Sequence, residues 1–173
     1  VSAIPSLDGE DVVARVLVET ARSFTLEDQG FTSPSLSMLR SWMATPYGLI
    51  LVTGPTGSGK TTTLHSMVQE LNRPERKIVM VEDPVVLRIP GVRQMQVRPA
   101  LGLTFAAALR AILRQAPNII VATDIRDRES AELMIHAALD GHLVMSSLHT
   151  NDTVAAIQRL IDIGVEPFLI DST

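Results

Sequence analysis

Four short apolar runs constrain this chain more than any other feature: LILV at 49–52, IVMV at 78–81, IIVA at 119–122 and LVMSSL at 143–148. Each is nearly continuous rather than alternating, which is the pattern of a strand buried on both faces of a parallel sheet. Between the runs, apolar residues recur at i, i+3, i+4 and i+7: Leu64, Met67, Val68, Leu71; then Phe105, Ala108, Leu109, Ile112; then Ala131, Met134, Ile135, Ala138. That spacing lays one apolar stripe along a helix. Strands alternating with such helices predict an α/β fold, a parallel sheet with helices on both faces and right-handed crossovers. Ligands of such sheets sit at the carboxyl ends of the strands.

A chain of 173 residues, 46% hydrophobic, holds one core of this kind and a short appendage. The core is expected over 47–173. Residues 1–20 read as the carboxyl-terminal end of a preceding α/β domain, because DVVARVLV at 11–18 is rich in β-branched residues and follows the turn-like Asp8-Gly9. Residues 21–46 read as a linker and a short helix, the helix starting at Ser33-Pro34 and carrying Leu36, Leu39 and Met43 on one face until Pro46. Residues 92–97 add a strand or hairpin. The first residue is not Met, and the last follows soon after an apolar stretch, so the chain reads as part of a longer one.

The run at 49–52 leads into Gly54-Pro55-Thr56-Gly57-Ser58-Gly59-Lys60-Thr61-Thr62, and the first helical stripe follows at once. This fits G-x-x-x-x-G-K-[ST] in the strand-to-helix context that a P-loop requires. Glycines let backbone N–H groups turn inward around phosphate oxygens, and the helix amino end adds partial positive charge. Lys60 is expected on the β- and γ-phosphates of ATP, and the Thr61 hydroxyl on Mg2+.

Hydrolysis also needs a group that orients water and charge that stabilises the transferring phosphoryl group. Polar residues at the neighbouring strand ends supply the candidates. Glu82, after IVMV, is expected to hold the attacking water; with Asp83 and Pro84 it also forms a sequence typical of a simple turn. Asp124, after IIVA and Thr123, is expected to support Mg2+, or to pair with Arg126 or Arg128. His149, after LVMSSL, is expected to sense the γ-phosphate, or merely to precede a helix cap. Arg110 and Arg114, four apart, share one helix face and read either as phosphate contacts across a subunit boundary or as a solvated face. His65, His136 and His142 look structural on spacing alone.

Composition narrows the function classes. The net charge is -4 with scattered Lys and Arg, and aromatic content is 3%, which argues against a nucleic-acid partner or a stacking platform. There is no cysteine, so neither a disulfide nor a thiolate zinc site exists within these residues. No apolar run approaches the ~20 residues that span a bilayer, so direct membrane insertion is not expected.

Taken together and in order, LVTGPTGSGKTTTL at 51–64, VEDP at 81–84, GLTFAAALRAILRQ at 102–115, IRDRE at 125–129 and GHLVMSSLHTND at 141–152 resemble the secretion ATPases of type II secretion and type IV pilus assembly, of the general secretory pathway protein E type. The resemblance implies a RecA-like P-loop domain binding ATP and Mg2+ at the boundaries of a hexameric ring. It also implies a cytoplasmic location and force passed to an inner-membrane platform protein. By the same resemblance Glu82 and Asp83 fall in the family's aspartate box, His142 and His149 in its histidine box, and Arg15, Arg110 and Arg114 on its phosphate-sensing arginines. The chain departs from the family at Thr123-Asp124, where Gly-Glu is usual, at Val86-Leu87 for Glu-Tyr, at Ser147 for Thr, and at Ala116 and Asn118 for acidic residues. Three readings therefore stand: a hydrolysing motor, a nucleotide-binding subunit with weak or absent hydrolysis, and, less favoured by charge, a RecA-like nucleic-acid motor.

Overall fold

The computed structural model describes residues 2–14 and 24–173. Five strands form one wholly parallel sheet: β3 (Gly48–Thr53), β4 (Ile78–Glu82), β5 (Arg93–Gln96), β6 (Ile119–Ala122) and β7 (Leu143–Leu148), in the order β3-β7-β6-β4-β5. The four apolar runs fall on β3, β4, β6 and β7. Segment 92–97 supplies the edge strand β5 rather than a hairpin, pairing parallel to β4 with Val79 opposite Arg93.

Ahead of the sheet, β1 (Ser2–Ser6) and β2 (Gly9–Val13) pair antiparallel around Leu7-Asp8, with every residue of both strands exposed. The strand expected over 11–18 thus begins at Gly9 and ends at Val13, and residues 15–18 lie outside the described residues. Helix α1 (Ser33–Met43) is capped one residue earlier than its sequence suggests, by Thr32, whose Oγ1 accepts from the Ser35 N–H.

Side chains alternate across the sheet and divide the core in two. Ile78, Met80, Ile119, Val121, Leu143 and Met145 face α1 and α2 (Lys60–Leu71), where they meet Leu39, Met43, Leu64, Met67, Val68 and Leu71. Val79, Val81, Ile120, Ala122, Val144 and Leu148 face α3 (Phe105–Leu113), α4 (Arg128–Leu139) and α5 (Thr153–Asp162). A short α6 (Pro167–Asp171) follows. Burial on both faces is why the strand runs carry no polar alternation.

The segment leading into α1 is not a free tether where it is described. Leu26 is 1% exposed within the α2-side core. Gln29 Oε1 accepts from Thr63 Oγ1 at 2.8 Å and its Nε2 donates to Ser66 Oγ at 2.6 Å, both on α2. Arg40 of α1 clamps Glu70 of α2 and Glu27 together. The Glu27 carboxyl is held below its usual range, chiefly by its hydrogen bond from Arg40.

Candidate nucleotide site

Parallel strands put the loops after β3, β4, β6 and β7 at one edge of the sheet, and the P-loop lies there. Helix α2 differs from α1, α3, α4 and α5, whose first turns are capped by the side chains of Thr32, Thr104, Asp127 and Asp152. Its own N-cap is Gly59, at φ 93°, with no side-chain cap. A β-carbon is strained at that angle, and the missing cap leaves first-turn N–H groups for an anion. Gly54 is fixed by crowding, since a β-carbon there would stand 2.5 Å from Ser58 Oγ.

Lys60 is 8% exposed. Its Nζ donates to the Gly54 carbonyl at 2.8 Å and the Pro55 carbonyl at 2.9 Å, and lies 3.2 Å from His149 Nδ1. An ammonium only donates, so Nδ1 must accept and Nε2 carries the imidazole proton. That nitrogen lies 3.4 Å from Asp124 Oδ2, an ion-pair distance. The same oxygen accepts from Arg126 Nε at 2.7 Å, and Arg126 Nη1 reaches Asp83 at 3.5 Å. Its hydrogen bond to Asp124, more than any other contact, raises the Arg126 pKa. A continuous polar chain thus runs from the P-loop lysine through His149 to Asp124 and out to Arg126. Of the sequence alternatives for Asp124, the pairing is the one with Arg126, and the carboxylate lines a cavity beside the P-loop cleft that shares Thr56 and His149 with it.

The open cleft over the P-loop encloses about 770 Å3. It is lined by Thr56, Gly57, Gly59, Lys60, Thr61, Thr62 and His149, as the motif implies, and also by Phe24, His65, Gln69, Val86, Leu87, Thr123 and Ser147. Four of these were missed as site residues although they are family departures: Thr123, Ser147, Val86 and Leu87 are where the chain differs and where the cleft wall lies.

Glu82 and His142 stand apart from the P-loop cleft. Glu82 does not face the cleft: at 0% exposure its Oε2 meets His65 Nε2 at 2.8 Å and its Oε1 accepts from Gln94 Nε2 at 2.7 Å. His65, read as structural, is the residue that lies between Glu82 and the cleft. His142 precedes β7, so it sits at the amino ends of the strands, where its Nδ1 faces the Pro117 carbonyl at 2.9 Å. Six strand residues separate it from His149, about 20 Å. Contact with the phosphates of its own chain is therefore ruled out. Arg114 caps the end of α3 at that same far edge, and Arg110 pairs with Glu129 in the first turn of α4. Neither reaches the cleft of its own chain. Arg15 lies outside the described residues.

The residues fit Mg2+ in the way that ion is usually held. It takes few protein ligands and keeps phosphate oxygens and waters. Thr61 offers a hydroxyl at the cleft, and Asp124, in the adjoining cavity with Thr56 and His149, keeps one oxygen, Oδ1, free of the His149 and Arg126 contacts. Among the described residues no group of three or more His, Cys, Asp or Glu is clustered as a metal cage. Nor is any helix among them long and apolar enough to cross a membrane.

Comparison with known proteins agrees with this geometry. The profile of the type II/IV secretion system protein family matches residues 1–173. The chain is 51% identical over 173 residues to the type II secretion system ATPase E of Vibrio cholerae, covering all of this chain and 34% of that protein. It is 47% identical to the type IV pilus assembly ATPase PilB of Myxococcus xanthus, again over its whole length and 31% of the relative. It therefore spans about a third of the curated relatives it matches. Among solved structures, the pilus retraction motor PilT with bound ADP superposes with a TM-score of 0.76 at 33% identity, over 90% of this chain and 45% of that one. The Legionella pneumophila ATPase DotB does so at 0.70 and 27%, over 85% and 41%. With its P-loop, its wholly parallel sheet and a match along its full length, the chain belongs to the type II/IV secretion system protein family.

Proposed function

We propose that this chain is the nucleotide-binding core of an ATP-hydrolysing motor that works as a homohexameric ring and drives type II secretion or type IV pilus assembly through an inner-membrane platform protein. The observation that carries the reading is the position of Lys60, held by two P-loop carbonyls beneath the uncapped start of α2 and joined through His149 to Asp124.

In that reading the phosphates of ATP take over the Lys60 ammonium from the Gly54 and Pro55 carbonyls. The free N–H groups of the P-loop and of the first turn of α2 hold the phosphate oxygens, with Thr62 in that turn. Mg2+, when bound, neutralises developing charge on the β- and γ-phosphates; Thr61 and the free oxygen of Asp124 would hold it, directly or through water. His149 loses its lysine partner when phosphate arrives and is left beside the γ-position, with Asp124 Oδ2 3.4 Å from its Nε2. Arg110 and Arg114 lie on an exposed helix face and would serve a neighbouring subunit's nucleotide, not their own.

A second reading is favoured by one specific feature. Asp124 is one methylene shorter than the family's usual Glu and is already paired with Arg126, which describes a subunit that binds nucleotide but turns it over weakly. Phosphate release from Mg-ATP by the complete protein, native against Asp124→Glu, separates the two. Turnover by the native protein that changes little on substitution supports the motor. A silent native protein that Glu awakens supports the weak-turnover subunit.

A further inference from the structure

The cavity adjoining the P-loop cleft encloses about 580 Å3 and is walled by Thr56, Asp124, Ile125, Arg126, His149 and Arg159. Thr56 and His149 belong to both walls. The His149 ring joins the two, its Nδ1 3.2 Å from Lys60 Nζ and its Nε2 3.4 Å from Asp124 Oδ2. Two guanidinium groups and one carboxylate face each other across the space. Arg126 is partly satisfied, by Asp124 at 2.7 Å and Asp83 at 3.5 Å. Arg159 is exposed and has no ion pair or side-chain hydrogen bond among the described residues. It stands in the second turn of α5, and helical side chains lean toward the amino end of their helix. That end of α5 follows β7 and His149 at the carboxyl edge of the sheet, so the lean carries the guanidinium to the cavity.

A cation without a counter-ion on a concave wall calls for an anion, and a guanidinium fork matches two oxygens of a phosphate at once. Asp124 selects among such anions. A carboxylate only accepts. Inorganic phosphate keeps an O–H near neutral pH and can donate it, whereas sulfate has none to give and is repelled.

We propose that this cavity is a binding site for inorganic phosphate, held by Arg159 and Arg126 with Thr56 and His149 at its mouth. It receives the phosphate cut from ATP while ADP still fills the P-loop. The P-loop lysine contacts the terminal phosphates of a nucleotide, and Lys60 meets His149, which is the step from one cavity to the other. The origin of the phosphate rests on the ATP-hydrolysis reading above; phosphate from solution binds by the same contacts.

Labelled inorganic phosphate titrated onto the complete protein saturated with Mg-ADP reads the site without hydrolysis, because the ADP phosphates occupy the P-loop. Arg159→Gln should weaken phosphate about tenfold, as expected for one charge-assisted contact, and leave Mg-ADP and Mg-ATP affinities within about threefold. Arg159→Lys keeps the charge and should stay within about threefold of native. The Arg126→Gln/Arg159→Gln double variant should bind no measurable phosphate, and sulfate should bind the native protein about tenfold more weakly than phosphate does. In a single turnover of Mg-ATP, native protein should release phosphate after a lag behind bond cleavage, and Arg159→Gln should shorten that lag. An ADP-loaded native protein that takes up no phosphate, or an Arg159→Gln protein that binds it as tightly as native, would overturn the proposal. Loss of Mg-ATP affinity in Arg159→Gln would overturn it too, making Arg159 a nucleotide contact, and equal affinity for sulfate would overturn the assignment to phosphate. Phosphate binding as expected in a native protein that never cleaves Mg-ATP would uphold the site and defeat the hydrolysis reading alone.

Discussion

Arg126 Nε donates to Asp124 Oδ2 at 2.7 Å, so the carboxylate best placed for a metal faces a cation before any metal arrives. Arg126 is 58% exposed, and Asp83 competes for it weakly at 3.5 Å. A metal ion proposed to bind Asp124 would therefore compete with a half-exposed guanidinium for that side chain.

Arg126→Ala removes the competitor. A pair with a half-exposed arginine is worth up to about 1 kcal/mol, so apparent Mg2+ affinity in the presence of ATP should rise by no more than about fivefold. Magnesium titration at fixed ATP reads it. A large fall in affinity would mean that Arg126 holds the nucleotide itself.

The lysine contact fixes the His149 tautomer. Long-range nitrogen–proton NMR spectra of the unliganded protein should show neutral His149 with its proton on Nε2, and Lys60→Ala should shift the Nδ1 signal most. A proton found on Nδ1 would contradict the bond from Lys60.

Gln29 and Arg40 tie the segment before α1 to the P-loop helix. Gln29→Ala should cost about 1–3 kcal/mol, because it strips a partner from Thr63 and from buried Ser66. Hydrogen exchange should quicken over 24–30 ahead of the sheet. The Glu27 pair adds a pH signature. Its folded-state pKa is depressed, so its contribution is complete above the unfolded value near 4.3 and is lost as pH falls through the lower folded value. Glu27→Gln should flatten that acid limb in a pH series of denaturation midpoints.

Met145 lies in the middle of β7 at 0% exposure, against the α1 and α2 face. Met145→Ala leaves a cavity in a packed layer and should destabilise the domain by about 2–5 kcal/mol. Chemical denaturation measures it. A loss below about 1 kcal/mol would show that the layer collapses to fill the gap.

The sheet was legible because burial on both faces leaves no polar residue in β4 before its terminal Glu82, in β6 or in the first half of β7, and the helices because their stripes follow the helical period. The P-loop was legible because its spacing is a backbone requirement. His142 was misplaced although the signal existed: it precedes a strand while the P-loop follows one, and in a parallel sheet those are opposite edges. The same count places Arg114 at the end of a helix that returns to the far edge. Glu82 was misread because a strand-end carboxylate faces whichever helix crosses over it, and no spacing along the chain told that His65, from the second turn of α2, would cover it. Gln94 was hidden in the same way, as a partner on the neighbouring edge strand β5.

The central claim is that Lys60 and the P-loop around it bind nucleoside triphosphate. Equilibrium binding of Mg-ATP to the complete protein, native against Lys60→Ala, tests it most directly. The account predicts that the substitution abolishes measurable affinity while the folded core, whose strands do not depend on Lys60, keeps its denaturation midpoint within a few degrees. Unchanged ATP affinity in a folded Lys60→Ala protein would contradict it.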